Sequence, residues 1–495
     1  MTESLTNYIR GYKEDEITDR FPIPDDKGIT AIPVGGLGRI GMNWTLYGFD
    51  GKWILVDAGI GFLVEDMDGV DAYIPDPLVF EDIKDKIDAL IITHAHEDHI
   101  GAIDRVFPEV LNLPIYCSPF VKGILTRRFE ERGIIDDITI NTFYPGDDFK
   151  IGDFSIETIE VTHSVPEPVS LAIKAGNVKI FHTGDWKIDD CPVVGNGFDW
   201  DKLEKVANSG ITALLCDSTN AHKPLEKTSE SDVREAFQHV FEESKGMVVV
   251  ACFGTNIARM TSAIHAAGES GRKVGLAGYS LRNNYKLAED LKLVKPTRYV
   301  MDHISHLKGL DRREMAIICS GVQGEKNASL YKMLKRDNHK LIDLMPGDTV
   351  IMSSRVIPGN EENVEELITI MKSERINVLT VDDRVNDYPL HVSGHAGAIE
   401  IEELHDIINP KFTIPIHGDE KHLDAHAKLS KTEAIRGGEG TIFHISSERV
   451  NKMGRIFINI VPLTSDNYGN RLPYTIEDNI TSFKINDTYT GIIDE

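Results

Sequence analysis

Residues 93–102 read Thr93-His94-Ala95-His96-Glu97-Asp98-His99-Ile100-Gly101-Ala102, and six of those positions carry three histidines and an aspartate. Imidazole nitrogen suits zinc, manganese and iron, and carboxylate adds a hard oxygen, so this density of donors is that of a metal site. Upstream, Ile87-Asp88-Ala89-Leu90-Ile91-Ile92-Thr93 has the apolar pattern of a strand, and downstream Ile100-Gly101-Ala102-Ile103 opens a helical pattern. The donors therefore fall on a loop at the C-terminal end of a strand, where α/β proteins place their sites. The bland alternative is a polar turn rich in histidine. The fixed HxHxDH spacing between strand and helix argues against it.

Such a site needs further donors from other loops. Three segments offer them. His163 follows the strand pattern Phe154–Val161, Asp185 follows Val178–Phe181, and His417 follows Phe412–Ile414. A single strand-end histidine is more often structural, but three such segments beside HxHxDH reverse that reading. A different motif, Gly36-Leu37-Gly38-Arg39-Ile40-Gly41, is formally GxGxxG. A dinucleotide site would require a helix next. Instead Met42–Phe49 and Trp53–Val56 read as two strands joined at Asp50-Gly51, so the glycines are expected to let backbone pass close to a site or turn.

At 495 residues the chain predicts two or three domains. No run of eighteen apolar residues occurs, so no membrane span is expected, and the polar N-terminus does not read as a signal peptide. Five scattered cysteines without a CxxC pair read as reduced thiols in a cytoplasmic protein. The net charge of −26 argues against a broad nonspecific nucleic-acid coat and leaves room for a local basic channel. From Ser229, a capped helix with the apolar stripe Val233, Phe237, Val240 and Phe241 leads to the buried strand Met247–Cys252, and helix and strand patterns then alternate as an α/β module. The tail from about residue 449 has a strand-like Ile456–Val461 and then reads as a polar, loosely held end.

HxHxDH with the downstream His and Asp resembles the metallo-β-lactamase superfamily, and Val56-Asp57-Ala58-Gly59 matches its first, supporting motif. Cys216-Asp217-Ser218-Thr219-Asn220, Ser393-Gly394-His395 and Pro415-Ile416-His417-Gly418 resemble the three β-CASP motifs of nucleic-acid-processing members. Gly36–Gly41, Val70–Pro77, Ser320–Glu325 and Pro358-Gly359-Asn360-Glu361 are similar to bacterial ribonuclease J. The resemblance covers roughly residues 28–430, and a histidine at 417 fits RNA-processing members. It departs at Gly397, where the family often has Ser, at Asp419, where Glu is usual, and at Phe253-Gly254-Thr255-Asn256, where a Ser often precedes the Asn.

The resemblance implies an αββα sandwich with an inserted α/β β-CASP domain and a short C-terminal tail. Its boundaries would be an extension over 1–27, a discontinuous hydrolase domain over 28–222 and 382–448, the insertion over 223–381 and the tail over 449–495. It implies two divalent ions, Zn or Mn, one held by His94, His96 and His163, the other by Asp98, His99 and His417, with Asp185 bridging. Two ions roughly 3.5–4 Å apart can share a hydroxide that attacks phosphorus. Catalytic candidates are Asp98, His395 as the acid for the leaving oxygen, and Asp217 orienting it; Ser393, Gly394 and His395 would meet substrate phosphate. The implied activity is a ribonuclease, 5′-exonuclease, endonuclease or both, leaving 5′-phosphate and 3′-hydroxyl ends. Its substrate would be single-stranded RNA with a 5′-monophosphate, its form a homodimer or tetramer, with RNA-degradation partners.

Two further readings concern other residues. His391 is the lesser acid candidate, because Leu390–Ser393 reads as a strand. Arg127-Arg128 is either an RNA contact or a solvated helix face, and Arg282 with Asn283 and Asn284 is a second RNA-contact candidate. A hydrolase for small thioesters or lactones would account for the metal donors and the acidic surface, but not for Asp217, the SGH motif or the insertion. A noncatalytic RNA-binding subunit would be expected to lack donors that are all present.

Overall fold

In the computed structural model the described residues are 17–18, 20–62, 70–224, 227–336, 341–357, 359–464, 484–485 and 489–490. Most of the expected N-terminal extension, Pro358, and the expected tail beyond Thr464 apart from 484–485 and 489–490 lie outside them.

Two large sheets pack face to face. One has nine strands in the order 17–18, 450–456, 441–445, 29–35, 44–49, 52–56, 87–91, 115–117 and 140–142. The other has seven, in the order 148–151, 154–160, 169–175, 178–182, 213–217, 412–416 and 433–434. Alternation decides which side chains meet between them: in Phe154–Glu160, Phe154 and Ile156 turn inward. They join Ile29, Tyr47, Ile54 and Ile91 of the first sheet and Leu171, Ile173, Leu215 and Ile414 of the second. Helices cover both outer faces. Pro119–Arg132 contributes Phe120, Ile124 and Leu125 to the core that includes Trp44, Trp53 and Leu90, and Trp200–Asn208 with Ala398–Ile408 covers Phe181, Leu214 and Cys216. The order helix, sheet, sheet, helix is the αββα sandwich.

A third sheet, 273–277, 315–319, 248–251, 349–352 and 377–379, is wholly parallel. Its central strands are buried along their whole length, as a parallel sheet covered on both faces must be. The helix Glu230–Glu243 leads into it, and Ser229 caps that helix in a capping box with Asp232, as the sequence predicts.

The sheet interrupts the seven-stranded one between two neighbours. Ala213–Asp217 and Phe412–Ile416 pair in parallel, with Asp217 opposite Ile416. The chain leaves after one strand, builds the third sheet, and returns beside its point of departure. Residues 418–419 also pair with 37–38 inside the GxGxxG stretch. No helix follows those glycines; Trp44–Phe49 does, as expected of strands.

Two regions differ from the sequence reading. Residues 450–464 are not the beginning of a loose tail: Val450–Ile456 pairs with Thr441–Ile445, and Ile460–Thr464 pairs with Val70–Pro75. Their alternation is diluted by Lys452, Arg455 and Asn459, so the pattern under-reports them. Leu390–Ser393 is not a strand. Leu390 and Val392 are buried as anchors of an irregular segment, whose carbonyls are bonded by Ser353 and Arg259.

Candidate metal centre

Each sequence-predicted donor lies just beyond a strand's C-terminal end, along one edge of the sandwich. His94–His99 follows Ile87–Ile91, His163 follows Phe154–Glu160, Asp185 follows Val178–His182, and His417 follows Phe412–Ile416. His417 takes a left-handed backbone with φ of 53°, a conformation non-glycine residues adopt only when surroundings demand it.

The structure brings these residues into three overlapping groups: His94, His96, His163 and Asp185; Asp98, His99, Asp185 and His417; and Asp185, Asp217, His395 and His417. Within each, the donor atoms lie inside 4.8 Å of one another. In the first, His96 Nδ1 is 3.2 Å from His94 Nε2 and 2.9 Å from His163 Nε2. In the second, His99 Nε2 is 3.3 Å from Asp185 Oδ2, and His417 Nε2 is 3.4 Å from Asp98 Oδ2. Asp185 belongs to all three groups.

The donors are oriented from behind. The Asp57 carboxylate can only accept, so the 2.8 Å contact from His99 Nδ1 puts the proton there and leaves Nε2 for the cluster. Asp57 also accepts from the amide and hydroxyl of Thr93, both at 2.8 Å, and is itself held at φ of 60°. His163 donates from Nδ1 to the carbonyl of Gly394 at 2.5 Å, which turns its Nε2 to the cluster. A Cβ on Gly394 would sit 2.7 Å from that imidazole ring. Gly59 passes so close to Asp98 that a Cβ would overlap its carbonyl.

Charge gives a test of what the cluster holds. Asp57, Asp98, Asp185 and Asp217 are largely or wholly buried, and among the described residues none pairs with Lys or Arg. Burial opposes charge on His99 and His417, but the carboxylates overcome it and hold both well above the usual histidine range. His94 and His163 face the opposite balance: burial, with other imidazoles beside them, pushes them well below it, and His96 down to about 4. Asp185 Oδ1 and both ring nitrogens of His417 are buried without an aligned hydrogen-bond partner. Three neutral imidazoles, and carboxylates that without Lys or Arg draw protons onto His99 and His417, together fit divalent metal ions, whose charge would take the place of those protons.

Beside the cluster, His395 Nδ1 lies 2.9 Å from Asp217 Oδ2. Asp217 Oδ1 accepts from the Thr219 amide and hydroxyl at 2.8 and 2.6 Å. Burial works against a charged His395, yet Asp217 and Asp185 raise its affinity for a proton above the ordinary value. Asn220 donates to Ser393 Oγ at 2.8 Å and to the His395 carbonyl at 3.1 Å, fixing the SGH loop. His395 and Ser393 line an open cleft between the hydrolase unit and the third sheet. His391 lines it too, but its Nδ1 lies against Arg259 at 3.1 Å, and burial with that cation keeps it neutral.

Several contributors escape sequence reasoning. Asn43 Nδ2 reaches the Asp98 carbonyl at 3.1 Å and His99 Nε2 at 3.0 Å; a lone Asn between strands carries no signal of this. Arg128 is not on a solvated face: it pairs with Glu97 inside the HxHxDH stretch and with Asp104. Arg127 donates to the buried Asn284 at 2.8 Å, which ties the first sheet's helix to the third sheet's, so Asn284 is packed away from any ligand while Arg282 is exposed.

Comparison with known proteins bears on the same residues. Residues 52–238 match the beta-lactamase superfamily domain, 245–371 the ribonuclease J beta-CASP domain, and 384–438 the Zn-dependent metallo-hydrolase RNA specificity domain. The fold and donor set thus define a metallo-hydrolase of the β-CASP class. Among relatives, Ribonuclease J of Sinorhizobium meliloti is 35% identical over 418 residues, 83% of this chain and 72% of that protein. Ribonuclease J 1 of Streptococcus pyogenes is 35% identical over 407 residues, 82% of this chain and 71% of that protein. Ribonuclease J of Corynebacterium glutamicum is 31% identical over 459 residues, 91% and 63% respectively. The chain belongs to the ribonuclease J family and is accordingly an enzyme, a metallo-hydrolase of the ribonuclease type. A crystal structure of a protein of unknown function from Enterococcus faecalis shares the fold, with a TM-score of 0.59 at 15% identity, covering 84% of this chain and 100% of that one. Among the described residues no helix is long and apolar enough to cross a membrane.

Proposed function

We propose that this enzyme cleaves phosphodiesters of single-stranded RNA with a 5′-monophosphate, by 5′-exonucleolytic attack, endonucleolytic attack or both, leaving 5′-phosphate and 3′-hydroxyl ends. The observation that carries the reading is the His395–Asp217 pair beside the donor cluster and on the cleft. Hydrolysis of a phosphodiester needs an acid for the departing 3′ oxygen as well as an activated water.

His94, His96 and His163 would hold one divalent ion, Asp98, His99 and His417 a second, and Asp185 would serve both; Zn and Mn each suit these donors. Such ions supply Lewis acidity that makes water acidic enough to react near neutral pH. The chain's own part is then specific. Asp57 and the Gly394 carbonyl hold two imidazoles in the ligating tautomer. Asp217 orients His395 by accepting from Nδ1, leaving its Nε2 proton for the leaving oxygen. Ser393 Oγ accepts from Asn220 and from the His395 amide at 3.2 Å, so its own proton is available to a phosphate oxygen. The Gly394 amide would be a second such contact.

On the same footing we read residues 223–381 as the inserted domain and the hydrolase domain as 28–222 with 382–448, now extended through the strands to Thr464. The cytoplasm is the compartment that suits five free cysteines, four of them buried. A homodimer or tetramer working with RNA-degradation partners completes the reading.

The test is cleavage of 5′-monophosphorylated single-stranded RNA by the purified protein with Mn²⁺ or Zn²⁺. The parent is expected to cut and His96→Ala/Asp98→Ala to lose cutting. His395→Ala is expected to lower kcat about 10²–10⁴-fold with metal content unchanged. A double variant as active as the parent would overturn the reading.

A further inference from the structure

The cleft's cations are not equally occupied. Lys187 is engaged by the Thr228 carbonyl at 2.5 Å and lies 3.9 Å from Asp189, and Arg384 donates to the Asp387 carbonyl. Arg355 is half-buried on the same cleft, and among the described residues its guanidinium has no hydrogen-bond acceptor or ion pair. It follows the strand Thr349–Met352 and lines the cleft together with Ser393 and His395. Lys223, next to Pro224 of the cleft lining, is half-buried and holds one neutral partner, Asn220 Oδ1 at 3.2 Å. That asparagine is the one whose amide fixes Ser393 and the His395 carbonyl. The Lys223 carbonyl in turn accepts from Ala398, so its backbone is locked to the segment just after the SGH motif.

Burial, then repulsion from Arg355 and Lys421, lowers the proton affinity of Lys223, and burial lowers that of Arg355 against the pull of Asp382. Cations so placed beside one another, without a carboxylate bound to either, are unfavourable until an anion arrives. In a chain of net charge −26 this is a marked exception. Guanidinium and ammonium donors suit the non-bridging oxygens of phosphate.

We infer that Arg355 and Lys223 form a phosphate clamp that grips the RNA backbone at a phosphate next to the one cleaved. This rests on the ribonuclease reading for what the strand is, and the clamp positions rather than reacts. It is indifferent to base identity, as contacts to phosphate are. Asn220 makes the grip continuous with the SGH loop, so strand and His395 are held in one register.

The experiment separates binding from cleavage. Fluorescence anisotropy of a labelled single-stranded RNA 10-mer is measured with the full chain in chelator, where hydrolysis is stopped. Arg355→Gln/Lys223→Gln is expected to bind about 10-fold more weakly at about 0.1 M salt, and its slope of log affinity on log salt to flatten by about 0.7, the value for one single-strand phosphate. With metal restored, KM is expected to rise by a similar factor while kcat stays within about twofold. Arg355→Lys/Lys223→Arg keeps the charges and is expected to restore the slope. Parent affinity and slope in the Gln variant would overturn the clamp, as would a parent that binds no RNA. A parent that binds RNA with the expected slope but never cuts it would defeat the ribonuclease reading and leave the clamp standing.

Discussion

The two walls of the cleft are built on opposite principles. The hydrolase wall gathers four buried carboxylates and six imidazoles, with no Lys or Arg paired to those carboxylates among the described residues. The wall from the third sheet gathers arginines: Arg259, fully buried and bound to Glu230, Ser353 and the SGH segment, and Arg355, unspent. One wall needs cations and the other needs anions. The lesson is that net charge says little about substrate: −26 is compatible with an RNA enzyme when the buried acid lies on one wall of the cleft and Arg355 on the other.

If the hydrolase wall is held by metal, its shared carboxylate should matter most. Asp185→Asn is expected to cost about 10³–10⁵-fold in turnover, several kcal/mol of transition-state stabilisation, together with bound divalent metal measured by elemental analysis. Retained metal with full activity would erase the contrast between the walls.

The opposite wall should fail by a different route. Arg259→Met strands Glu230 in the core and is expected to cost about 3–5 kcal/mol of unfolding free energy, read by urea denaturation. A loss below about 1 kcal/mol would mean that the clasp between insertion and SGH loop is dispensable.

Gly394 joins the walls. Gly394→Ala pushes a methyl onto the His163 ring and is expected to weaken metal affinity about 10–100-fold, as loss of an outer partner does, with the unfolding midpoint little changed. An unchanged metal titration would show that the Gly394 carbonyl is not what orients His163.

The smallest effect lies behind the hydrolase wall. His426, buried against Ser218 at 2.9 Å and His405 at 3.3 Å, is pushed down to about 3, and burial holds His405 at about 4. Folding keeps them neutral while the unfolded chain takes up protons below about pH 6.5, so this stability is complete above pH 6.5 and is lost as pH falls. His426→Asn can still hydrogen-bond Ser218 and removes the titration. Between pH 6.5 and 5 its loss of stability is expected to be shallower than the parent's by about 1–2 kcal/mol. Parallel pH curves would contradict the burial argument.

The donor set was legible because chemistry restricts it: few residues ligate metal, and each sits at the end of a strand with a clear apolar pattern. The inserted sheet was legible through the rhythm of helices and short apolar strands, and the sandwich through the family resemblance that the motifs carry. What stayed hidden acts through generic groups. The Gly394 carbonyl, Asn43 and Arg128 do their work by position, and position depends on pairings hundreds of residues apart. In 450–464 the pattern shows a single strand-like stretch, Ile456–Val461, where two strands lie on either side of it, because polar residues interrupt their period, and Leu390–Ser393 read as a strand because buried anchors mimic one.

The insertion between Ala213–Asp217 and Phe412–Ile416 also has a temporal meaning. About 200 residues separate Asp217 from His417, roughly 10–40 s of synthesis at 5–20 residues per second. For most of that interval the emerging polypeptide has HxHxDH but lacks His395, and until its end it lacks His417. On the proposed reading of His395 and His417, a nuclease assembled in this order would be incomplete on the ribosome while the message encoding it is still being read.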